Sequence, residues 1–468
     1  MRDVRRPSPV VVCVDFGSTF TKAVLVDVER GDLVARADHP TTLPAADGTG
    51  DVLDGYDACL AQLAEQDPRA RDAEVLACSS AGGGLRIAVV GNEELVTAEA
   101  GRRVALSSGG KVVAVLSGGL DADRHGELRA AAPDVLLLVG GTDGGNSAQL
   151  VGDADFLAAA RWPGPVVVAG DVESRARVAA ALEESQTPYV LADNVVPQIG
   201  VLAPDSARAA IREMFLAHVI GGKHLSKRAD FVAMVRGATP DVVLTGVELL
   251  ARGLDEARAG AGDVVVVDVG GATTDVHSVV ELDPEVGAGL SREVVATTPV
   301  TRTVEGDLGM RWSAVTTVAA GQLDHLTSAA ERRHADPGFL PDDADGRAVD
   351  EAIAAAAIEV ALKRHAGRSK VVLSPEGRVV ERTGKDLREV ELLVGSGGVL
   401  RHGEPDAVRR MLLPATGQHD GGWQLPRAPR IVVDHDYVLA AAGLLAADHP
   451  ETAHRLLTGL RERRVGHE

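Results

Sequence analysis

Two stretches of this chain repeat one pattern, and no other feature limits the fold as tightly. The first runs Val11-Val12-Cys13-Val14-Asp15-Phe16-Gly17-Ser18-Thr19-Phe20-Thr21-Lys22-Ala23-Val24-Leu25-Val26-Asp27. The second runs Val264-Val265-Val266-Val267-Asp268-Val269-Gly270-Gly271-Ala272-Thr273-Thr274-Asp275-Val276-His277. Each is an apolar β-branched run, an Asp, a turn of Gly, Ser or Thr, and a second strand-forming run. Such apolar runs read as buried strands. The turn puts glycine where backbone must come close to a ligand, and hydroxyls where a ligand needs donors. Asp15 and Asp268 stand at the strand ends. Amides, hydroxyls and carboxylates for metal-bound water are the groups a magnesium nucleotide requires. The alternative reading is an ordinary βα turn, common to any α/β protein.

The remaining chain has to supply several cores. With 468 residues it is too long for one, and 45% hydrophobic residues against 3% aromatic make those cores from Ala, Val and Leu. A net charge of −20 argues against nucleic acid or an anionic membrane as partner, since phosphate binding needs a basic surface. Cys13, Cys59 and Cys78 form no Cys-x-x-Cys pair, which speaks against an iron–sulfur cluster or structural zinc and fits a reducing cytoplasm. No apolar run reaches the roughly 18 residues of a membrane span. Met1–Pro9 is basic without the apolar segment of a signal peptide. The expectation is a soluble cytoplasmic protein.

Along the chain, strands are expected over Val10–Asp15, Thr21–Val28, Asp32–Ala37, Glu74–Cys78 and Leu85–Val90, with a helix capped by Asp54. From there to about Gly200, strands (Val112–Leu116, Val135–Val139, Val166–Ala169, Tyr189–Leu191) alternate with helices such as Glu93–Leu106 and Glu173–Glu183. That alternation implies a parallel sheet covered on both faces. It carries Gly140-Gly141-Thr142-Asp143-Gly144-Gly145-Asn146 at a strand's carboxyl end, where ligands bind in such sheets. A tight turn into a helix is the plainer reading.

Further on come helices over Ser206–Val219, Pro240–Arg252 and Ala348–His365, and strands over Thr274–Glu281, Glu293–Val300 and Arg430–Val433. Thr301–Arg311 is read as a polar loop whose Glu305 and Asp307 can reach metal or water, or which merely caps the next helix. A last glycine-rich stretch is Glu391-Leu392-Leu393-Val394-Gly395-Ser396-Gly397-Gly398-Val399-Leu400. The small residues Ala440–Gly443 lie in a helix expected over His435–Ala447.

The two hairpins in this order, followed by the Gly395–Gly398 stretch, resemble the two phosphate loops and the adenosine loop of the actin-like ATPase superfamily, which includes sugar and acetate kinases, heat-shock chaperones and actin. Within it, the chain resembles the MutL/GlmL family, accessory proteins of adenosylcobalamin-dependent glutamate mutase and unrelated to the mismatch-repair protein of the same name. The residues that carry this narrower likeness are Gly140–Asn146 and Val304-Glu305-Gly306-Asp307-Leu308-Gly309-Met310-Arg311, together with the three loops.

The resemblance implies an α/β chain of actin-like ATPase fold: two lobes, each with a mixed sheet and flanking helices, and an inserted α/β segment. The first lobe is expected from residues 1–90 and 430–468, the insertion from 91–250, and the second lobe from 251–429. It implies a clamp in which Asp15 and Asp268 are the catalytic pair. Asp15, Asp268 and Asp275 would serve Mg2+. Gly17, Ser18, Thr19, Lys22, Gly270, Gly271, Thr273 and Thr274 would contact phosphate, and Gly395, Gly397 and Gly398 the adenosine. It further implies an ATP-driven reactivating chaperone whose partners are the subunits of a cobalamin mutase, with cobalamin met only through that partner. His277 is the histidine nearest the expected site. A small-molecule kinase of the same superfamily is the alternative. A cluster-binding dehydratase activator is disfavoured by the scattered cysteines, and a filament-forming relative is a third class.

Overall fold

The computed structural model describes residues 10–44, 49–281, 298–374 and 377–462. The chain divides into two units: one takes the described chain up to Gly246 and Ala440–Ala453, the other the described residues from Val247 to Leu439 and from His454 on.

In the first unit the strands are β1 (Val10–Phe16), β2 (Phe20–Asp27), β3 (Asp32–Pro40), β4 (Glu74–Ser79), β5 (Leu85–Gly91), β6 (Gly110–Ser117), β7 (Val135–Leu138), β8 (Val166–Val168), β9 (Tyr189–Leu191) and β10 (Val235–Ala238). They make two five-stranded sheets. The mixed sheet has the order β10-β4-β1-β2-β3, with β1–β2 and β2–β3 antiparallel and β1–β4 and β4–β10 parallel. Its centre is β1, buried on both faces because Val10, Val12 and Val14 are flanked by Val11 and Cys13 rather than polar residues. At the edge, β3 alternates, burying Ala35 and Ala37 between the exposed Val34, Arg36 and Asp38, and ends at Pro40, which has no N–H to donate.

The second sheet, β6-β5-β7-β8-β9, is parallel throughout. Its strands send alternate residues to two cores. Ile87, Val89, Leu137 and Val167 join the core of β1, whereas Val90, Leu136, Leu138 and Val168 pack with Leu128, Leu157 and Trp162. Two buried faces explain why these strands are apolar without alternation.

The second unit contains β11 (Gly253–Asp255), β12 (Arg258–Ala259), β13 (Val264–Val269), β14 (Thr274–Val279), β15 (Val300–Glu305), β16 (Arg368–Ser374), β17 (Gly377–Thr383), β18 (Leu392–Ser396) and β19 (Arg430–Val433). Its mixed sheet runs β15-β14-β13-β18-β19, antiparallel on the hairpin side and parallel beyond β13. Strand for strand this repeats the first mixed sheet. A hairpin and a third antiparallel strand lie on one side of the first strand, and two parallel strands on the other. The duplicated sheet, with a parallel sheet inserted in the first unit, is the actin-like α/β arrangement anticipated above. The helix Ala344–His365 covers the second mixed sheet, packing Ile353, Ile358 and Leu362 with Val265, Val267 and Leu393. Each fully buried large aliphatic side chain is worth about 1.5–3 kcal/mol.

Several expectations are corrected by the structure, and one lies outside what it describes. Thr301–Glu305 is not part of a polar loop; with Val300 it forms β15, whose β-branched residues pair it with β14, Thr274 opposite Glu305 and Val279 opposite Val300. The strand expected over Glu293–Val300 falls largely outside the described residues. Leu85–Gly91 joins the inserted parallel sheet, and Arg430–Val433 pairs with β18, not with the first lobe's sheet. The helix expected over His435–Ala447 runs Val438–Leu445, because the buried carboxylate of Asp434 accepts the N–H groups of Val438 and Leu439 at 2.9 and 3.1 Å and sets its start.

Candidate functional site

The first hairpin turns tightly at Gly17. Its N–H donates to Phe20 O at 3.1 Å, and a Cβ there would lie 2.6 Å from the same oxygen, so only glycine fits. The turn amide is thus spent on the turn itself; Ser18 and Thr19 at its tip are exposed. The Thr41 hydroxyl braces the turn from β3's end, 2.8 Å from Gly17 O. Asp15 sits one residue before the last of β1, cross-strand from Lys22. Its Oδ1 accepts the Thr239 hydroxyl at 2.7 Å, its Oδ2 stands 3.5 Å from Lys22 Nζ, and the Cys78 thiol approaches Oδ1 at 3.7 Å. Burial and the nearby Asp15 charge push that thiol far up, so Cys78 stays a neutral SH.

The second hairpin repeats the geometry. Gly270 N–H donates to Thr273 O at 2.9 Å, and a Cβ on Gly270 would also lie 2.9 Å from that oxygen. Asp268 occupies the place of Asp15, with Asp275 cross-strand from it. Asp275 is firmly held: Arg302 reaches its Oδ1 with Nε at 3.0 Å and Nη2 at 2.6 Å, and the Thr273 hydroxyl donates to Oδ2 at 3.2 Å. Thr274 is fully buried and its hydroxyl donates to Leu308 O at 3.1 Å, which ties down the following segment. His277 is buried with its ring held neutral by burial, on β14 away from the turn.

The segment after β15 lies against this turn. Met310 N–H donates to Gly270 O at 3.0 Å, Arg311 N–H to Gly271 O at 2.8 Å, and the Ser313 hydroxyl to Ala272 O at 2.7 Å. Gly309 permits the approach, since a Cβ there would lie 2.7 Å from the carbonyl carbon of Ala272. Glu305 and Asp307 share Arg364, at 2.7 and 2.6 Å from its Nη1. Burial raises the Glu305 carboxyl while Arg364 opposes it; the Arg364 hydrogen bonds lower that of Asp307.

Beside the second hairpin, β18 ends in the Gly395–Gly398 stretch, with Ser396 the parallel partner of Asp268. Gly397 has φ of +99°, and a Cβ on it would fall 2.2 Å from Val269 O, so the loop lies directly against the strand that carries Asp268. Nothing stands within 4 Å of a Cβ built on Gly398, whereas Gly395 is packed against Leu400 and Leu412.

The inserted sheet's glycine loop is a closed network. Asp143 Oδ1 accepts Asn194 Nδ2 at 2.9 Å and Val172 N–H at 3.3 Å, Asp171 Oδ1 accepts Gly144 N–H at 3.1 Å, and Asn194 Nδ2 also donates to Gly141 O at 3.0 Å. The Gly144 N–H is thereby given to Asp171, and those of Asp143 and Gly145 go to backbone carbonyls, rather than to an anion.

The described residues fit a magnesium nucleotide in a specific way. They contain no group of three His, Cys, Asp or Glu side chains placed to hold a metal ion. Mg2+ ordinarily takes one or two carboxylates and completes its shell with water and substrate phosphates, so strand-end carboxylates beside exposed hydroxyls suit the ion only when phosphate comes with it. Thr239, Arg302 and Arg364 were given no role by the sequence reading. Thr239 alone had a visible signal, a Thr ahead of Pro240 at a helix start. No helix is long and apolar enough to cross a membrane among the described residues.

A profile of the family described as MutL protein matches residues 11–460. A relative, Protein MutL from Clostridium tetanomorphum, is 33% identical over 458 residues, covering 95% of this chain and 97% of its own. Among solved structures, gluconate kinase from Lactobacillus acidophilus has 12% identity and a TM-score of 0.33, spanning 95% of this chain and 91% of its own. The ethanolamine utilization protein EutJ from Carboxydothermus hydrogenoformans has 12% identity and a TM-score of 0.27, spanning 97% and 91%. At such scores neither carries an argument, and the fold assignment rests on the strand order.

Proposed function

The chain belongs to the MutL protein family, and from that premise we propose that it is an ATP-dependent reactivating factor for an adenosylcobalamin-dependent mutase of the glutamate mutase type. The observation that carries the reading is the repeated hairpin, with Asp15 and Asp268 at matching strand ends, inside a family match that spans nearly the whole chain. Ser18 and Thr19 would donate to phosphate oxygens, Lys22 would supply a cation to them, and the backbone of Gly271 would serve the second turn, where the Thr273 hydroxyl is given to Asp275. Asp15 and Asp268 would hold a hydrated magnesium ion by accepting hydrogen bonds, and Asp268 would orient a water towards the terminal phosphate. Bound magnesium supplies neutralisation of the phosphate charge. Gly398, with open space where a Cβ would stand, leaves room for the nucleoside, while Gly397 lets the loop lie against Val269. Gly17 and Gly270 act through shape, since their amides close their own turns.

A radical enzyme that loses its adenosyl group is left holding a tight, inactive corrinoid. Loosening that grip requires a change in what binds the enzyme, and a nucleotide can drive it only through contacts that differ before and after hydrolysis. Cobalamin therefore concerns this chain through the mutase alone. The test combines purified protein, MgATP and a mutase loaded with hydroxocobalamin. The expected result is ATP hydrolysis raised by the mutase and ATP-dependent release of hydroxocobalamin. Hydrolysis indifferent to the mutase, with no corrinoid released, overturns the proposal. Transfer of phosphate to a free sugar or carboxylate replaces it with a kinase.

A further inference from the structure

Aromatic residues make up 3% of this chain, which has 3 tryptophans. Trp162 is packed into a core of the inserted sheet at 5% exposure, whereas Trp312 in the second unit is 57% exposed. A tryptophan open to water is the side chain most often found at the energetic centre of a protein interface. It has apolar company. Residues 336–345 carry Leu340, 79% exposed, beside Phe339, 36% exposed. Two hydrogen bonds bring the segments together: His334 Nδ1 lies 2.8 Å from Trp312 O, and Arg311 Nε donates to Phe339 O at 3.2 Å. The Arg333 guanidinium, fixed on Asp350, stands 5.3 Å from the centre of the Phe339 ring. Apolar side chains exposed singly are ordinary, but a joined set on a rigid base marks a contact surface.

The rim is acidic. Residues 336–345 include Asp336, Asp342, Asp343 and Asp345 and neither Lys nor Arg; Arg332 and Arg347 flank the stretch, and its aspartates outnumber them. Asp336 and Asp343 accept the N–H groups of Gly338 at 3.1 Å and Gly346 at 2.6 Å, which fixes the loop and leaves the charges in place. The patch is also tied to the second turn. Trp312 lies between Arg311, whose N–H donates to Gly271 O at 2.8 Å, and Ser313, whose hydroxyl donates to Ala272 O at 2.7 Å. Arg311 therefore holds the turn with its backbone and Phe339 with its side chain.

We infer that Trp312, Phe339 and Leu340 are the surface on which the protein partner docks, and that the partner brings an apolar pocket rimmed by Lys and Arg. The inference rests on the mutase reading above and names where that partner binds. Charge selects this occupant over the others. A second copy would set its own aspartates against these, and an anionic membrane or a nucleic acid meets a rim of its own sign. The surface begins one residue from the groups that hold Gly271 and Ala272, so a partner seated on it touches the turn assigned to the nucleotide.

The test measures binding of a hydroxocobalamin-loaded mutase of the glutamate mutase type to the full chain by biolayer interferometry, with MgATP affinity followed separately by calorimetry. Wild type is expected to bind the mutase, more weakly as salt is raised. Trp312→Ser and Leu340→Ser are each expected to weaken that binding by roughly tenfold or more, as loss of an interface anchor does. Asp342→Asn/Asp345→Asn is expected to weaken it and to flatten its salt dependence. Leu340→Ser and the double aspartate variant lie on the exposed loop and are expected to keep the MgATP affinity of wild type. A Leu340→Ser protein that is folded by circular dichroism yet binds the mutase as tightly as wild type overturns the inference, and this comparison stands even where Trp312→Ser fails to fold. So does self-association of wild type in sedimentation that Leu340→Ser abolishes, which gives the surface to a second copy. Wild type that binds no mutase with or without MgATP overturns the mutase reading itself, whereas mutase binding that survives in the variants overturns the docking surface alone.

Discussion

Asp350 joins two arginines inside the second unit. Its Oδ1 lies 2.5 Å from Arg333 Nε and its Oδ2 3.0 Å from Arg311 Nη2. Arg333 is 1% exposed and also donates to Ala329 O and Gly346 O at 3.0 and 2.9 Å, so its guanidinium cannot turn to water. Asp350→Ala leaves that cation buried without a counter-charge, a change that costs about 3–5 kcal/mol. At a urea m-value of about 3 kcal/mol/M the unfolding midpoint falls by roughly 1–1.7 M. Trp312 and Trp423 belong to the second unit and Trp162 to the first, so fluorescence in a Trp162→Phe background follows the second unit alone. The double change Asp350→Leu/Arg333→Met is expected to recover most of the loss, because a well-packed apolar pair replaces a buried ion pair at little cost. The Arg311 N–H that grips Gly271 O ties this knot to the second turn, so Asp350→Ala also weakens ATP binding. A midpoint shift below about 0.3 M, a small fraction of the shift expected for a broken buried pair, refutes the reasoning. So does a double variant less stable than the single one.

Burial pushes the Lys385 ammonium down to about 7 from 10.5, with Nζ donating to Pro299 O at 2.7 Å and Ser278 Oγ at 3.2 Å. The unfolded chain then binds more protons between those two values, so stability rises with pH across that window and the deficit is fully present below it. Lys385→Met is expected to raise the urea midpoint more at pH 6 than at pH 10, and equal gains at both contradict the assignment. Gly397→Ala forces a Cβ to within 2.2 Å of Val269 O at a φ of +99°. Strain of about 1–3 kcal/mol plus the clash predicts a lower melting temperature and at least tenfold weaker ATP binding by calorimetry. Unchanged affinity would remove the loop from the nucleotide site. Thr239→Val deletes the hydroxyl 2.7 Å from Asp15 Oδ1, and loss of a hydrogen bond of about 1 kcal/mol predicts roughly three- to tenfold weaker MgATP binding. An isotherm like that of wild type contradicts the role.

The hairpins were legible because their information is local. β-branched runs, a strand-end Asp and a glycine turn lie within a dozen or so residues, and the strand register follows from the pattern. The inserted parallel sheet was legible for the same reason, as alternation of apolar runs with helices. What escaped depends on pairing at a distance. Arg302 reads as one basic residue in a strand until β14 and β15 are aligned and its guanidinium falls on Asp275. Thr274 reads as a phosphate donor until Leu308 O is seen to take its hydroxyl. Thr301–Glu305 reads as a loop because Thr-Arg-Thr looks polar, although threonine's branching favours a strand. Leu85–Gly91 was placed with the wrong sheet since a buried parallel strand carries no mark of which neighbour it joins.

The proposal stands on Asp15 and Asp268 each serving magnesium-nucleotide binding, and calorimetric titration with ATP, at saturating Mg2+ and in EDTA, tests this most directly. Wild type is predicted to bind ATP strongly only with Mg2+, and Asp15→Asn and Asp268→Asn each to lose most of that magnesium-dependent gain while remaining folded. Magnesium-dependent binding of wild-type strength in both variants, or its absence from the wild type, contradicts the claim.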